Sequence, residues 1–342
     1  MDSISCHPPV RILFFTRGRG RGHAIPDIQL ASQLPADWDI RFASYGTGAA
    51  TFASAGIPCI DMGLPDTNGT AETTVIAGRL IGHLNPDIVV VHEEFAALPA
   101  AKIFGKPTIL ITDFFTSPEM YSMATLSFAD AILFPGRRGV FTEPPQAKGR
   151  VTYVQPILRP FAYRRNHRRK ARAELGLDED TLVISVLPGS WTEQMAPSVD
   201  QIHRAFTNLK APAKHLIWLA GSDQQAIHKQ IAKNATILSY TPEIDRIMAA
   251  SDLAITKCNR LTVTELASLG IRTISMSYGL NPTDEQAIAS LPANRTVTRL
   301  THRILADALA TPEPRPVRWP GETCSAILER VVSRLSSMTQ RG

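Results

Sequence analysis

A chain of 342 residues, 44% apolar and 20% charged, is long enough for two globular cores and has the balance of a folded protein, which excludes a disordered or fibrous chain. No run of 18 apolar residues occurs and residues 1–9 lack a signal-peptide core, so no membrane-spanning helix is expected. A net charge of +5 suits an anionic ligand or an acidic membrane surface; four scattered cysteines (Cys6, Cys59, Cys258, Cys324) with no CxxC argue against a zinc site or disulfide framework, and a reducing cytoplasm is the expected compartment.

Arg11–Thr16 (RILFFT) reads as a first strand. The loop Arg17-Gly18-Arg19-Gly20-Arg21-Gly22-His23 follows at once, then a helical pattern of Ile28, Leu30, Ala31 and Leu34. Glycines between strand and helix let backbone approach a ligand, so Gly20, Arg21 and Gly22 are candidate binding residues. The arginines suit an anion and fit a solvated loop equally well. The spacing is not G-x-G-x-x-G, no acidic residue ends the next strand (40–44), and no GK[ST] follows, which speaks against NAD and against a P-loop. His23 sits where loop meets helix, at the carboxyl edge where open α/β sheets bind ligands, and is a candidate base. Hydrogen bonding within its own loop is the alternative.

Further alternation follows: strand 57–62, surface loop 63–70, helix 73–84 and a buried strand 86–91 that ends in His92-Glu93-Glu94-Phe95. Strand 107–112 leads into Asp113-Phe114-Phe115, and strands 131–134 and Val151–Val154 close the half. One of Glu93, Glu94 or Asp113 is expected to orient His23 or bind an acceptor hydroxyl. Glu94 and Asp113 are taken with His23 as the catalytic set, and helix capping is the alternative. Residues 155–161 read as a linker and 166–175 as a helix start. The dense Arg/Lys cluster there fits phosphates, acidic lipid headgroups or a solvated face.

The second half opens with strand 181–187 and the small turn Gly189-Ser190, a candidate phosphate cradle. Helix 197–209 and strands 215–220 and 235–239 follow; Thr241 with Pro242 reads as a helix N-cap and first turn. Residues 251–278 read as strand (252–256), turn, helix (261–269, stopped by Gly270) and strand (272–277). That helix N-terminus, flanked by Lys257 and Arg260, favours an anion. Glu265 could receive a sugar hydroxyl, or Thr262-x-x-Glu265 could be a capping box. Asp284-Glu285-Gln286 opens another helix at the same edge. Residues 299–309 and 322–335 read as helices, and 312–320 as an extended proline-rich segment. The expected fold class is α/β: two Rossmann-like, doubly wound domains, 1–158 and 159–342, facing across a cleft, with the last helix free to return to the first domain.

In order along the chain, Gly22-His23-Ala24-Ile25-Pro26, Gln155-Pro156-Ile157-Leu158-Arg159, Gly189-Ser190, Leu261-Thr262-Val263-Thr264-Glu265-Leu266-Ala267 and Asp284-Glu285-Gln286 resemble the motifs of GT-B nucleotide-sugar glycosyltransferases. The set is most similar to the family of the lipid-II-forming N-acetylglucosaminyltransferase. The resemblance implies a UDP-type sugar donor in the second domain. Thr241 would lie by the base and Glu265 on the ribose. Gly189 and Ser190, with Asn259, Arg260, Leu261 and Thr262, would hold the pyrophosphate, and Asp284 and Gln286 would line the donor-sugar side. It implies a small-molecule or lipid-linked acceptor in the first domain, with His23 as base; peripheral contact with a membrane is an expectation from the basic cluster Arg159–Arg172. It also implies inversion by direct displacement, no cofactor or essential metal, and no nucleic acid. Two departures stand out: Cys258-Asn259-Arg260 replaces the family's Ser-Gly-Ala, and Ala287 replaces a second glutamine. A nucleotide-sugar hydrolase or epimerase on the same fold, or a non-catalytic sugar-nucleotide binder, are the alternatives.

Overall fold

The structure is a computed structural model that describes residues 9–65, 69–115, 124–188, 198–220, 234–239, 241–279, 282–289 and 291–339. Two compact units emerge: Met1–Arg159 with Trp319–Gly342, and Pro160–Arg318.

The first unit is a parallel sheet of β1 (Arg11–Thr16), β2 (Asp39–Ser44), β3 (Cys59–Asp61), β4 (Ile88–His92), β5 (Thr108–Ile111), β6 (Ala131–Pro135) and β7 (Val151–Val154), in the order β3-β2-β1-β4-β5-β6-β7. Its helices are α1 (Ala24–Ala31), α2 (Gly46–Ser54), α3 (Thr70–Leu84), α4 (Ala97–Ile103) and the chain's last helix, α11 (Cys324–Thr339). A parallel sheet covered on both faces needs strands apolar on both sides. Accordingly Ile12, Leu13, Phe14 and Phe15 are all buried, and Ile12 and Phe14 pack with Leu30 of α1 and with Leu328 and Val332 of α11. The last helix thus completes the first unit's core.

The second unit repeats the plan with β8 (Leu182–Val186), β9 (Lys214–Leu219), β10 (Ala235–Leu238), β11 (Leu253–Lys257), β12 (Arg272–Met276) and β13 (Asn294–Val297), in the order β10-β9-β8-β11-β12-β13. Helices α5 (Arg168–Glu174), α6 (Val199–Asn208), α7 (Ile244–Ala250), α8 (Arg260–Leu269), α9 (Pro282–Ala289) and α10 (His302–Ala310) accompany it. Each sheet's strand order reverses once, between β1 and β4 and between β8 and β11. Ligands of open α/β sheets bind outside the carboxyl ends of the strands at such points.

Three elements lie outside the sequence expectation. Glycines at 46 and 48 hide the start of α2, Pro99 interrupts the pattern of α4, and the edge strand β13 is mostly polar, with Arg295 and Thr296 exposed. The helix expected to begin at Thr241 begins at Ile244. Thr241 Oγ1 instead accepts from Glu243 N at 3.1 Å, closing a turn ahead of α7.

The basic cluster is divided between inward-turned and exposed side chains. Arg172 is 1% exposed; its guanidinium donates to Asp252 Oδ2 at 2.7 Å, to Ala250 O at 3.0 Å and to Glu179 O. Arg168 pairs with Asp252 Oδ1, and Arg165 with Ser251 O and Glu313. These three arginines fasten α5 and the turn before it to the start of β11 and to residue 313, so they do not form a free cationic face. Arg169 and Lys170 point outward, paired with Glu179 and Glu174. Among the described residues, no helix is long and apolar enough to cross a membrane.

Candidate functional site

The first unit's switch point gathers titratable side chains from three elements. β1 ends at Thr16 and runs into the arginine–glycine loop, α1 starts after His23, and β4 delivers His92, Glu93 and Glu94 beside them. Glu93 leaves the strand with φ 53°, a left-handed conformation uncommon for a residue with a Cβ, and makes an isolated bridge to Thr16. This turn aims its carboxylate at the loop. Glu93 Oε2 lies 2.7 Å from His23 Nε2 and 3.8 Å from Arg17 Nη1, while Oε1 accepts from Thr112 Oγ1 and from Asp113 N, both at 3.3 Å.

The partner of His23 is therefore Glu93, not Glu94 or Asp113. Glu94 instead accepts from Tyr45 OH at 2.8 Å. Asp113 joins the cluster through its backbone N–H on Glu93. Strand alternation did not distinguish 93 from 94, because every residue of β4 is buried and the positive φ at 93 breaks the alternation. His92 and Asp27 also belong here. His92 Nδ1 lies 2.7 Å from Asp27 Oδ1, and Thr16 Oγ1 donates to Asp27 Oδ2 at 2.6 Å. The sequence signal for Asp27 is its place four residues after His23, on the same face of α1.

Burial lowers the His23 pKa against the opposing pull of Glu93, so the ring is neutral near pH 7. Glu93 accepts from Nε2–H, which leaves the lone pair on Nδ1. That atom is shielded from solvent and has no hydrogen-bond partner among the described residues. A base with one nitrogen oriented by a carboxylate and the other unoccupied is equipped to take a proton from a ligand hydroxyl. Burial raises the Glu94 pKa, which Tyr45 and Arg17 only partly offset.

The glycines of the loop do different things. A Cβ on Gly18 would lie 2.3 Å from Tyr45 O, and Gly48 N–H donates to Gly18 O at 2.7 Å, so Gly18 serves the packing of the loop on α2. Gly20 has φ 77° and needs to be glycine for its conformation. Gly22 has neither constraint: a Cβ there would meet nothing within 4 Å among the described residues. Gly22→Ala is expected to change unfolding free energy by less than about 0.5 kcal/mol, whereas Gly18→Ala should destabilise clearly. A fall in ligand binding or turnover in Gly22→Ala at unchanged stability would mark Gly22 as a ligand-facing position. Unchanged binding and turnover would remove it from the site.

In the second unit, β11 delivers Lys257, Cys258 and Asn259 to the N-terminus of α8 beside the other switch point. Asn259 is the N-cap: its Oδ1 accepts from Thr262 N at 3.2 Å, and its φ of −119° is ordinary extended backbone. Glycine is thus not required there for conformation. The helix starts at Arg260, which puts Glu265 in the second turn, so the capping-box alternative for Thr262 and Glu265 does not hold. Glu265 is wholly buried under the helix, and Leu261 is half-buried. Arg260 Nε meets Asp284 Oδ1 of α9 at 2.5 Å, and Ser277 Oγ donates to Glu285 Oε1 at 2.6 Å. Burial, with Glu285 and Asp284 nearby, pushes the Cys258 thiol up to about 12, which makes it an inert cysteine. Gln286 is exposed. Thr241 follows β10, with β9 and β8 between it and the α8 turn. Gly189 and Ser190 lie outside the described residues. No group of three or more His, Cys, Asp or Glu side chains is arranged to hold a metal among the described residues.

No family model matches the chain. It is 26% identical over 217 residues to the UDP-N-acetylglucosamine–N-acetylmuramyl-(pentapeptide) pyrophosphoryl-undecaprenol N-acetylglucosamine transferase of Clavibacter michiganensis, covering 61% of this chain and 56% of that protein. Identity to the protein of the same name from Carboxydothermus hydrogenoformans is 24% over 202 residues, 56% of this chain and 53% of the other. The chain thus spans about half the length of the curated relatives it matches. Among solved structures it is similar to MurG of Acinetobacter baumannii, with a TM-score of 0.68, 14% identity and coverage of 95% of this chain and 100% of that one. It is also similar to a putative UDP-N-acetylglucosamine 2-epimerase of Listeria monocytogenes, with a TM-score of 0.67, 14% identity and 98% of both chains. The glycosyltransferase SnogD of Streptomyces nogalater gives 0.66, 14%, and 96% and 94%. The fold is that of the GT-B glycosyltransferases.

Proposed function

We propose that this chain is a glycosyltransferase that moves a sugar from a UDP-type donor to an acceptor hydroxyl, with inversion at the anomeric carbon. The observation that carries the reading is the His23–Glu93 pair at the first switch point. Nδ1 of the neutral imidazole accepts the acceptor's hydroxyl proton as the oxygen attacks. Glu93 holds the tautomer through Nε2–H and stabilises the imidazolium that forms. Attack from the face opposite the leaving diphosphate inverts the centre. As the anomeric C–O bond breaks, the leaving diphosphate gains one further negative charge, which the N-terminus of α8, Lys257 and Arg260 are suited to stabilise. Glu265 is assigned to the ribose and Gln286 to the donor sugar on the resemblance alone. A lipid-linked acceptor of the class named in the curated relatives fits this reading. It would bring the chain to a membrane surface, with the inward-facing Arg165, Arg168 and Arg172 contributing nothing to that contact.

The test is thermal denaturation with UDP, GDP, TDP, ADP and NAD in parallel. A ligand that binds only the folded state stabilises it by about 2.7 kcal/mol at a hundredfold excess over Kd. A selective shift with UDP, lost in Glu265→Ala, supports the donor assignment; no shift with any of the five removes it. A nucleotide-sugar epimerase or hydrolase is the second reading, favoured by the likeness to the Listeria protein. UDP release at full rate with no acceptor present would bring that reading forward, and release that requires an acceptor would exclude it.

A further inference from the structure

The switch point of the first unit holds a second histidine that the proton transfer described above does not use. We propose that His92, held by Asp27, is a positioning residue that carries the site's resident proton and thereby keeps His23 unprotonated and ready to act as base. The inference rests on the reading of His23 as base and extends it to the groups behind that base.

The geometry is as follows. Asp27 is completely buried, with Thr16 Oγ1 on one carboxylate oxygen and His92 Nδ1 on the other. A buried carboxylate with one neutral side-chain donor among the described residues needs a cation, and His92 is the group placed to be one. The His92 ring stands edge-on to His23, with ring centroids 5.0 Å apart at 84°. Two imidazoles this close in a water-poor site do not readily hold a proton each, so the pair shares one charge, and its place depends on the surrounding groups.

Those groups are unequally divided. His92 is faced by Asp27 from α1, by Glu93 from its own chain end and by Asp113 from the end of β5. Facing His23 are Glu93, the cationic Arg17 of the loop, and His92 itself. Burial works against the charged form of both rings. At His92 the three carboxylates outweigh it and the pKa is raised; at His23 burial prevails and the pKa is lowered. Glu94 and Tyr45 are bonded to each other, and Cys324 of α11, whose thiol is pushed up by burial and by Asp27, stays neutral beside that carboxylate. The proton therefore resides on His92, and its charge opposes protonation of His23.

The test is NMR titration of the histidine side chains in the intact protein, which needs no substrate and so can fail independently of the functional reading. In the wild type, His92 is expected to titrate above His23; the reverse order would overturn the inference, whatever any variant does. His92→Gln keeps a donor for Asp27 but removes the cation. It is expected to raise the His23 titration by about 1 pH unit, and to carry the acid limb of any transferase activity upward with it. Asp27→Asn removes anion and cation together and should move His23 much less. A His23 titration unchanged in a folded His92→Gln protein, or moved equally by both substitutions, would reduce His92 and Asp27 to a structural pair.

Discussion

His23→Ala is expected to lower the turnover number for sugar transfer by about 10²–10⁴-fold, the usual range for loss of a general base, with the folded protein intact. The fold should survive because His23 makes no side-chain cap bond to α1. Glu93 also keeps Arg17, Thr112 and the Asp113 N–H as partners. Glu93→Gln should give a smaller loss, since the ring stays in place but its imidazolium is no longer stabilised by a carboxylate. The pH dependence follows from the direction of the His23 shift. A base works only when unprotonated, so the rate falls as pH drops through the His23 pKa. Burial holds that pKa below the ordinary histidine value. The acid limb should therefore lie at lower pH than for an exposed histidine, and it should vanish in His23→Ala. Near-full transfer by His23→Ala, or an acid limb that persists in it, would remove His23 from the chemistry.

The second large effect concerns stability. Arg172→Ala is expected to cost about 3–5 kcal/mol, the range for removing one partner of a buried ion pair. Arg172 is fully buried and holds a carboxylate and two backbone carbonyls at once; Asp252 Oδ2 also accepts from Val183 N at 2.8 Å. Without the guanidinium, two carbonyls and a carboxylate lose a donor between α5, β8 and β11. Urea unfolding followed through Trp218, buried in the same unit, measures the loss. Asp252→Asn should destabilise in the same sense, and the double variant should cost less than the sum of the two, because each single change breaks the same contact. A cost below about 1 kcal/mol for Arg172→Ala, well under the range expected for a broken buried pair, would mean that water or a neighbouring group replaces the guanidinium.

The two predictions differ in how far each was visible in the order of the residues. His23 was visible: a glycine loop after a strand places the next polar residue at the carboxyl edge of the sheet, whatever the rest of the chain does. The α8 turn was visible for the same reason, since Leu261, Leu266 and Leu269 mark a helix, and Gly270 ends it in the left-handed conformation at φ 70°. The inward role of Arg172 was not. An arginine-rich stretch looks solvated until a buried Asp252, 80 residues away, is brought against it.

Local pattern, then, determined the alternation of strands and helices, the two glycine-bearing halves and the place of the histidine. These depend on backbone periodicity and on conformations open to glycine, both set by near neighbours. Tertiary structure alone decided which carboxylate meets His23, because the choice between Glu93 and Glu94 turns on one left-handed residue at the end of a fully buried strand. It also decided that Asp27 and His92 pair, that Asn259 caps α8, and that Arg165, Arg168 and Arg172 of the basic cluster turn inward. Each of these contacts joins groups from separate elements, or depends on where a helix starts in three dimensions. Hydrogen bonds and ion pairs act over a few ångströms of space, and no spacing along the chain records that distance.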